Sequence, residues 1–224
     1  SRGSYYYVLT DTRLNAFANG GKEIYSHSHG FENPVMKTSS TRALVFDQGG
    51  NEAYIYNLHE LKSSINSDAE IINAAVSDSG VDAVVTRSES YASVVTVYSK
   101  RGKKIYTWYS SADTVNNVAV APNGKKIAVS TFNSTNGKFV SKICILNFDS
   151  ANPISSVDVE GGPVITLNTA RDLSPRPKTS FILSIGRGKT IPNIKTITPY
   201  RGFPRVRAAR LPFLTVKTTG PITE

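Results

Sequence analysis

Cysteine is almost absent from this chain of 224 residues: Cys144 is the only one, so no disulfide can form within the chain. This excludes a small scaffold held together by disulfides, without settling whether the protein works inside or outside the cell. Cys144 lies in the apolar run Ile143–Leu146, which predicts a small buried side chain rather than a reactive thiol.

Long apolar runs are also missing. No stretch reaches the roughly 18 consecutive apolar residues that indicate a membrane-spanning helix. The chain begins with Ser1 rather than methionine, so we expect a processed or partial form from which an upstream signal or anchor has been removed.

Acidic residues are scarce in the last quarter of the chain. The formal charge of +9 belongs entirely to residues 165–224, which hold eleven lysines and arginines against Asp172 and Glu224, together with seven of the eleven prolines. The composition therefore predicts two parts, residues 1–167 and a basic, proline-rich segment 168–224.

Three interpretations of the segment 168–224 stay open: a divergent last unit of the fold, a poorly ordered basic tail, or residues foreign to the natural reading frame. Three apolar runs in it have the composition of strands, although the prolines between them would interrupt the interior of a sheet. These runs are Phe181–Ile185, Ile194–Thr198 and Phe213–Lys217.

The chain does contain a repeat of 40 to 45 residues. At a shift of 44, residues 73–86 match residues 117–130 without a gap, and at a shift of 40 parts of residues 33–46 match the first of these stretches. Gly21–Tyr25 matches Gly102–Tyr106 at a shift of 81, about two periods. Each unit has four short apolar or alternating runs separated by turn-forming residues, which predicts a four-stranded antiparallel meander.

A period of this length with four strands per unit is typical of a β-propeller, in which each sheet packs face to face against its neighbours around an axis. We therefore predict an all-β fold of four-stranded antiparallel blades. Residues 5–31 would supply the outer strands of one blade, residues 33–70, 71–113 and 114–162 three whole blades, and residues 163–167 the first strand of another. Propellers close with four to eight blades, so blade number and ring closure stay open.

Two resemblances accompany this repeat. Val97–Trp108 resembles the outer-strand turn of quinoprotein-type propeller repeats, in which a Gly-Lys pair leads through an apolar residue to a tryptophan that docks on the next blade; Ala16–Tyr25 resembles it without the tryptophan. Residues 5–164 as a whole are similar to an uncharacterised group of propellers from Gram-positive bacteria, often tethered to the membrane by an N-terminal helix. The resemblance implies propeller architecture and an extracytoplasmic location. Residues matching a quinone or calcium site are absent, so we predict no cofactor.

Two histidines are the candidate metal ligands. His27 and His29 are two residues apart, so on a strand both imidazoles would leave the same face, which suits a metal ion. The third histidine, His59, belongs to another unit, and the sequence places no carboxylate beside the pair. An exposed polar strand end is the competing interpretation.

Other catalytic patterns are incomplete. Ile185–Thr190 imitates the end of a phosphate-binding loop, but Leu183 stands where the first glycine belongs and Pro192 would stop the helix that should follow. The chain has no Gly-x-Ser-x-Gly motif, and its acidic residues are scattered singly in turns. A carboxylate pair assembled from separate blades at the central channel stays open.

Four arginines of the segment 168–224 are candidate anion contacts: Arg201, Arg205, Arg207 and Arg210. Beside Tyr200 and Phe203 they could bind the phosphates and bases of a nucleic acid, or anionic lipid. No nucleic-acid-binding fold surrounds them, so nucleic acid is disfavoured and a solvated basic surface is the simpler interpretation.

The function predicted from the sequence is a non-catalytic, extracytoplasmic binding module. Its partner would be a protein or a cell-surface ligand held on a rim of the propeller, with the membrane reached only through a segment upstream. The alternative is an enzyme, hydrolytic or quinoprotein-like, with its site at the central channel. Carboxylates or histidines grouped at the axis would favour the enzyme, and an apolar or aromatic patch on a rim would favour the module.

Overall fold

A computed structural model describes residues 5–18, 20–135, 138–160, 164–171, 179–185 and 213–217. These residues contain strands and no helix. The strands are β1 (Tyr5–Leu9), β2 (Arg13–Ala18), β3 (Glu23–Ser28), β4 (Pro34–Thr38), β5 (Ala43–Asp47), β6 (Glu52–Tyr56), β7 (Leu61–Asn66), β8 (Ile71–Val76), β9 (Asp82–Thr86), β10 (Ser93–Tyr98), β11 (Lys104–Ser110), β12 (Thr114–Val120), β13 (Lys126–Thr135), β14 (Lys138–Asn147), β15 (Ser155–Glu160), β16 (Val164–Arg171), β17 (Thr179–Ile185) and β18 (Phe213–Lys217).

The strands form five antiparallel sheets in chain order. β1–β3 make a three-stranded first sheet, β4–β7, β8–β11 and β12–β15 make the four-stranded second, third and fourth sheets, and β16–β18 make a three-stranded fifth sheet. The predicted all-β fold of four-stranded antiparallel blades is therefore confirmed. Residues 73–86 and 117–130, matched by the repeat, lie in the neighbouring third and fourth sheets.

The second, third and fourth sheets are each covered on both faces by their neighbours. On β5, Leu44 and Phe46 belong to the core between the second and third sheets, whereas Ala43 and Val45 belong to the core between the first and second. Alternate side chains of one strand point to opposite faces, so the two faces of this sheet serve two different cores. Burying each large aliphatic or aromatic side chain contributes about 1.5–3 kcal/mol, which makes stacking of the sheets the main source of stability.

The first strands of successive sheets lie side by side at the inner edge of the stack. Nδ2 of Asn73 on β8 donates hydrogen bonds to the main-chain oxygen of Asn116 (2.7 Å) and to Oδ1 of Asn117 (3.3 Å) on β12. Nδ2 of Asn116 and Nδ2 of Asn117 in turn donate to the main-chain oxygen of Val164 on β16, at 2.8 and 3.0 Å. An asparagine at one position of the repeat thus links the third, fourth and fifth sheets.

Irregularities of pairing also recur with the repeat. The first strand of a sheet shifts register against the second between Ile71 and Asn73, and again between Val115 and Asn117, 44 residues later. A bulge inserts an extra residue and increases the local twist of a sheet. Its recurrence at equivalent positions gives successive sheets the same twist, which lets their faces stay in contact along their length.

For the fourth sheet the sequence predicts strands at residues 115–120, 126–131, 138–147 and 154–157, and the structure differs in two of them. β13 continues to Thr135, past the predicted end at Thr131, because its pairing with β14 extends to Thr135 and Lys138. β15 lies at Ser155–Glu160, slightly beyond the predicted stretch.

The segment after residue 167 contributes strands as well. β17 and β18 include the predicted runs Phe181–Ile185 and Phe213–Lys217, and they pair with β16 and with each other. The predicted run Ile194–Thr198 lies outside the described residues. The proposed division between residues 167 and 168 falls within β16 and stays a prediction.

Candidate functional site

A cavity of about 800 Å³ lies along the first strands, where the axial channel of a propeller is expected. Most of its wall consists of alanine, valine and serine side chains from β4, β8, β12 and the turns that follow them. Only two of the described lining residues are ionisable, Lys37 and Asp78. The channel is therefore a mostly uncharged, small-residue surface.

The environments of Lys37 and Asp78 differ. Partial burial lowers the pKa of the Lys37 ammonium group, which forms no ion pair within the described residues. For Asp78, burial raises the pKa of the carboxyl group, but hydrogen bonds from Ser39, Ser40 and Thr41 outweigh that effect and leave the pKa lowered. The Asp78 carboxylate thus joins the β8–β9 turn to the β4–β5 turn, and this role is structural.

This pair is not the group of carboxylates or histidines that would favour an enzyme at the axis. One amine and one hydrogen-bonded carboxylate supply neither a nucleophile with its base nor two acids facing one space. Within the part of the chain that the structure describes, the channel geometry offers no catalytic constellation. The enzyme alternative stays a prediction.

The two candidate metal ligands, His29 and His27, each form contacts with different protein groups. Nε2 of His29 lies 3.1 Å from the main-chain oxygen of Thr10, and Nδ1 accepts a hydrogen bond from the main-chain N–H of Phe31 at 3.1 Å. Nδ1 of His27 lies 3.1 Å from the Tyr56 hydroxyl. No group of three histidine, cysteine or acidic side chains among the described residues could hold a metal ion. Both nitrogens of buried His29 already have protein partners, so the metal hypothesis gains no support.

The remaining candidate residues are either buried or lie outside the described residues. Cys144 is buried in the core between the third and fourth sheets, as predicted, and burial raises the pKa of its thiol. The candidate anion contacts Arg201, Arg205, Arg207 and Arg210 lie outside the described residues, as do residues 186–190 of the incomplete phosphate-loop motif.

An exposed aromatic pair lies on the third sheet. Tyr91, in the β9–β10 turn, and Tyr109, on the outermost strand β11, have ring centroids 4.7 Å apart and are 42% and 53% exposed. Aromatic rings carry large apolar area at low cost in conformational entropy, and they are enriched where proteins bind one another. This pair is the aromatic patch that favours a binding module.

Tyr109 also borders a groove between the third and fourth sheets. The groove has a volume of about 260 Å³, and Trp108, Asp113, Lys142 and Cys144 help to line it. Nζ of Lys142 lies 4.0 Å from a carboxylate oxygen of Asp113 and 3.9 Å from one of Asp158, both beyond hydrogen-bonding distance. The groove therefore combines an indole wall with charged groups that are not tightly paired, next to an exposed aromatic pair.

Sequence reasoning did not single out this surface. Strand propensity alone accounts for a tyrosine such as Tyr109, and Tyr91 lies in a polar turn with no pattern of its own. A usable signal was the Trp108-Tyr109 pair at the end of an outer strand, since alternation there puts one ring on each face of the sheet.

Comparison with solved structures identifies the architecture. The fold is similar to that of Kluyveromyces lactis Hsv2, with a TM-score of 0.58 at 9% identity over 83% of this chain, and to KlHsv2 with loop 6CD replaced by a Gly-Ser linker, with a TM-score of 0.59 at 10% identity over 83%. It is also similar to BBS1N, solved in complex with ARL6DN, with a TM-score of 0.54 at 13% identity over 82%. These neighbours are β-propellers, so the sheets described above are propeller blades. The chain spans 60–63% of the length of the matched chains in these three structures.

Sequence comparison gives the family. No curated protein sequence matches the chain. The profile of one protein family matches residues 3–158, which include the first, second and third sheets and nearly all of the fourth. The chain therefore belongs to DUF5711, a family of unknown function.

Proposed function

We propose that this propeller is a non-catalytic binding module, and that its partner is a protein that buries apolar or aromatic side chains against Tyr91, Tyr109 and the Trp108 groove. The observation that carries the proposal is the exposed Tyr91–Tyr109 pair beside that groove. The rings lie on a sheet whose other strands are fixed by cores on both faces, so the binding surface is preorganised and little entropy is lost on binding.

The fold neighbours are consistent with this proposal. BBS1N, a propeller similar to this chain, was crystallised with the protein ARL6DN. The BBS1N complex supports the proposal that the partner is a protein. At 13% identity, it does not indicate which surface of this chain is used or which protein is bound.

The experiment uses the single tryptophan of the chain as its reporter. Peptides are selected by display from a random library against the 224-residue chain, and each is then titrated while Trp108 fluorescence is recorded. We expect the selected peptides to contain aromatic or large aliphatic residues, to change the Trp108 emission, and to bind at least about tenfold more weakly to Tyr109→Ala and to Tyr91→Ala.

The matched control is Tyr6→Ala. Tyr6 is 48% exposed and stacks on Phe17 with centroids 5.3 Å apart, so it resembles the pair in exposure and packing but lies on the first sheet. Affinity should survive this change. If every selected peptide binds Tyr91→Ala and Tyr109→Ala as tightly as the unmodified chain, the aromatic surface is not the binding site.

The location belongs to the same proposal. We place the module on the outer face of a Gram-positive membrane, attached through a segment upstream, because residues 5–164 are similar to propellers of that kind. Within the described residues, no helix is long and apolar enough to cross a membrane. Protease added to intact cells expressing the full-length protein should digest the propeller; digestion only after lysis would place it inside.

The resemblance of Val97–Trp108 to quinoprotein-type repeats concerns the design of the repeat and not a cofactor site. Trp108 packs against the core shared with the next sheet, which is the docking that such repeats use, and this supports a common repeat design. We assign no quinone chemistry to it. A quinone cofactor added to the purified chain should therefore leave its thermal unfolding unchanged.

A further inference from the structure

A second surface, which is basic rather than aromatic, lies at the end of the third and fourth sheets opposite to Tyr91 and Tyr109. The β10–β11 turn and the start of β11 carry Lys100, Arg101, Lys103 and Lys104, and the β12–β13 turn with the start of β13 carries Lys125 and Lys126. All are exposed except the half-buried Lys126. These six residues are named the basic rim.

The two basic turns form one continuous surface because the β8–β9 turn joins them. A Cβ built on Gly80 would lie 2.8 Å from Cβ and Cγ of Lys100, and a Cβ built on Gly124 would lie 2.4 Å from Oγ of Ser79. Such approaches mean that the three turns lie against one another. The cations are therefore held next to one another on packed turns and are not scattered along separate loops.

The charge of the basic rim is largely uncompensated within the described residues. Lys104 forms an ion pair with Asp68 at 3.0 Å, and the other five cations form none. The nearby carboxylates of Asp78 and Asp82 already accept hydrogen bonds, from Ser40 and Thr41 and from Arg42. Asp149, exposed in the β14–β15 turn, is the other acid near this end of the third and fourth sheets.

Cations held on turns that pack against one another repel each other, and a partner with negative charge would relieve that repulsion. Three classes of partner offer such charge: an anionic bilayer, a nucleic acid, or an acidic protein segment. The exposed side chains around the cations distinguish between these three classes of partner.

Most exposed aromatic residues of the third and fourth sheets lie away from the basic rim: Tyr91 lies at the opposite end of the third sheet, and Phe139 at the opposite end of the fourth. Tyr109 also belongs to that opposite end, but it lies within electrostatic reach of Lys104, whose pKa is raised by Asp68 first and then by Tyr98 and Tyr109. A single ring thus lies near one margin of the rim. The apolar side chains exposed near the rim are Ile105 and Ile154. Interfacial membrane binding uses an aromatic or leucine-rich face, and single-stranded nucleic acids need aromatic platforms, so both are disfavoured.

We infer that the basic rim is the docking surface for an acidic segment of a protein partner, a run of Asp and Glu side chains that lies across the β10–β11 and β12–β13 turns. Lysine suits this role because its ammonium group is a compact charge on a flexible stem and pairs with carboxylates at varied positions. The site is separate from the aromatic surface and does not depend on it, so the two are tested by different variants.

The test uses the full 224-residue chain and a fluorescently labelled deca-glutamate peptide, with binding followed by fluorescence anisotropy at 50 and 200 mM NaCl. The rim variant replaces Lys100, Arg101, Lys103 and Lys125 with glutamine. We expect it to bind the peptide at least about tenfold more weakly at 50 mM NaCl. We also expect the affinity of the unmodified chain to fall as salt is raised.

Two matched variants separate location from total charge. The first replaces Lys22, Lys62, Arg87 and Arg13, four cations away from the rim, with glutamine, and should change affinity less than threefold. The second replaces Arg201, Arg205, Arg207 and Arg210 with glutamine and so removes four of the basic residues of the C-terminal segment instead. Equal losses in the rim variant and the first control, or a loss confined to the arginine variant, would overturn the inference.

The competing partners are further arms of the same experiment. Vesicles of phosphatidylserine and phosphatidylcholine and a single-stranded oligonucleotide are titrated in parallel. Binding of either through the rim more tightly than the peptide would overturn the assignment to a protein segment, and so would failure of the peptide to bind at 50 mM NaCl. A second rim variant that keeps Lys100, whose stem contacts the β8–β9 turn, guards against loss of folding.

Discussion

Arg42 and Asp82 occupy the same position in two successive repeats, 40 residues apart, and meet as an ion pair between the second and third sheets. Nη1 and Nη2 of Arg42 donate to Oδ1 and Oδ2 of Asp82, both at 2.7 Å, and Nη1 also donates to the main-chain oxygen of Ser77 at 2.8 Å. The side chains are 13% and 2% exposed. One repeat therefore supplies the cation and the next the anion of a single buried contact.

The first prediction concerns this pair. Arg42→Met should lower the free energy of unfolding by about 3 kcal/mol at pH 7, because it leaves the Asp82 carboxylate buried without its partner. Chemical denaturation followed by circular dichroism measures the change.

The matched control is Lys62→Met, which breaks the exposed pair of Lys62 with Glu60 and should cost less than about 1 kcal/mol.

The loss of stability in Arg42→Met should also depend on pH. Burial raises the pKa of Asp82 while Arg42 lowers it, so without Arg42 the carboxyl group protonates more readily and the penalty should be smaller at pH 4 than at pH 7. A penalty that is equal at both pH values would contradict this account.

The repeat period and turn residues were enough to predict the sheets, because strand pairing within each sheet is local in sequence. The contacts between sheets were not predicted. Arg42 directly precedes the second strand of its sheet and Asp82 begins the second strand of the next, and only the stacking of the two sheets brings these single charged residues together. The basic rim is hidden for a related reason: residues 1–164 carry no net charge, and a sum over the sequence does not reveal cations that cluster in space.

Asp78 gives a second prediction, on the pH dependence of stability. Its carboxylate accepts hydrogen bonds from Oγ of Ser40, from the main-chain N–H of Thr41 at 3.1 Å and from Oγ1 of Thr41 at 3.2 Å. Although burial raises the pKa of Asp78, these bonds leave it below its usual range. A depressed pKa contributes stability above the unfolded-state pKa that is lost as the pH falls through the folded-state pKa.

The unmodified chain should therefore be more stable than Asp78→Asn at pH 7, and the difference should shrink steadily as the pH is lowered to 3. Thermal unfolding of both proteins across this range provides the measurement. A difference that grows on acidification would show that the Asp78 carboxylate destabilises the fold.

The third prediction concerns the contact between the β12–β13 turn and the β8–β9 turn. Gly124 has φ of +68°, and a Cβ there would lie 2.4 Å from Oγ of Ser79 and 2.9 Å from Cγ2 of Val81. Gly124→Ala should therefore cost both the strain of a left-handed backbone and the displacement of the β8–β9 turn, together about 2–4 kcal/mol.

Gly102 supplies a matched comparison because its φ is +73° and a Cβ there would meet nothing within 4 Å. Gly102→Ala should cost only the backbone strain, about 1 kcal/mol. The difference between the two free energies of unfolding isolates the contact between turns, and equal costs would mean that the turns can separate without penalty.

Cys144 allows a fourth prediction, on the integrity of the core between the third and fourth sheets. Its side chain is 4% exposed and packs with Val95, Val97, Val129 and Leu146. Burial raises the pKa of its thiol, and the charges of Lys142 and two carboxylates modify it further, so little of the reactive thiolate is present at pH 7. Reaction with a colorimetric disulfide reagent should be slow in the native protein and yield one thiol per chain in denaturant.

Reaction of the native chain should then follow opening of this core. Because Trp108 packs against the same cluster, a variant that weakens it, such as Val97→Ala, should speed the thiol reaction and shift the tryptophan emission to the red. Leu14→Ala, in the core between the first and second sheets, is the comparison: it should lower stability without the same acceleration if the sheets open separately. Equal acceleration by both variants would instead show that the blades unfold as one cooperative unit.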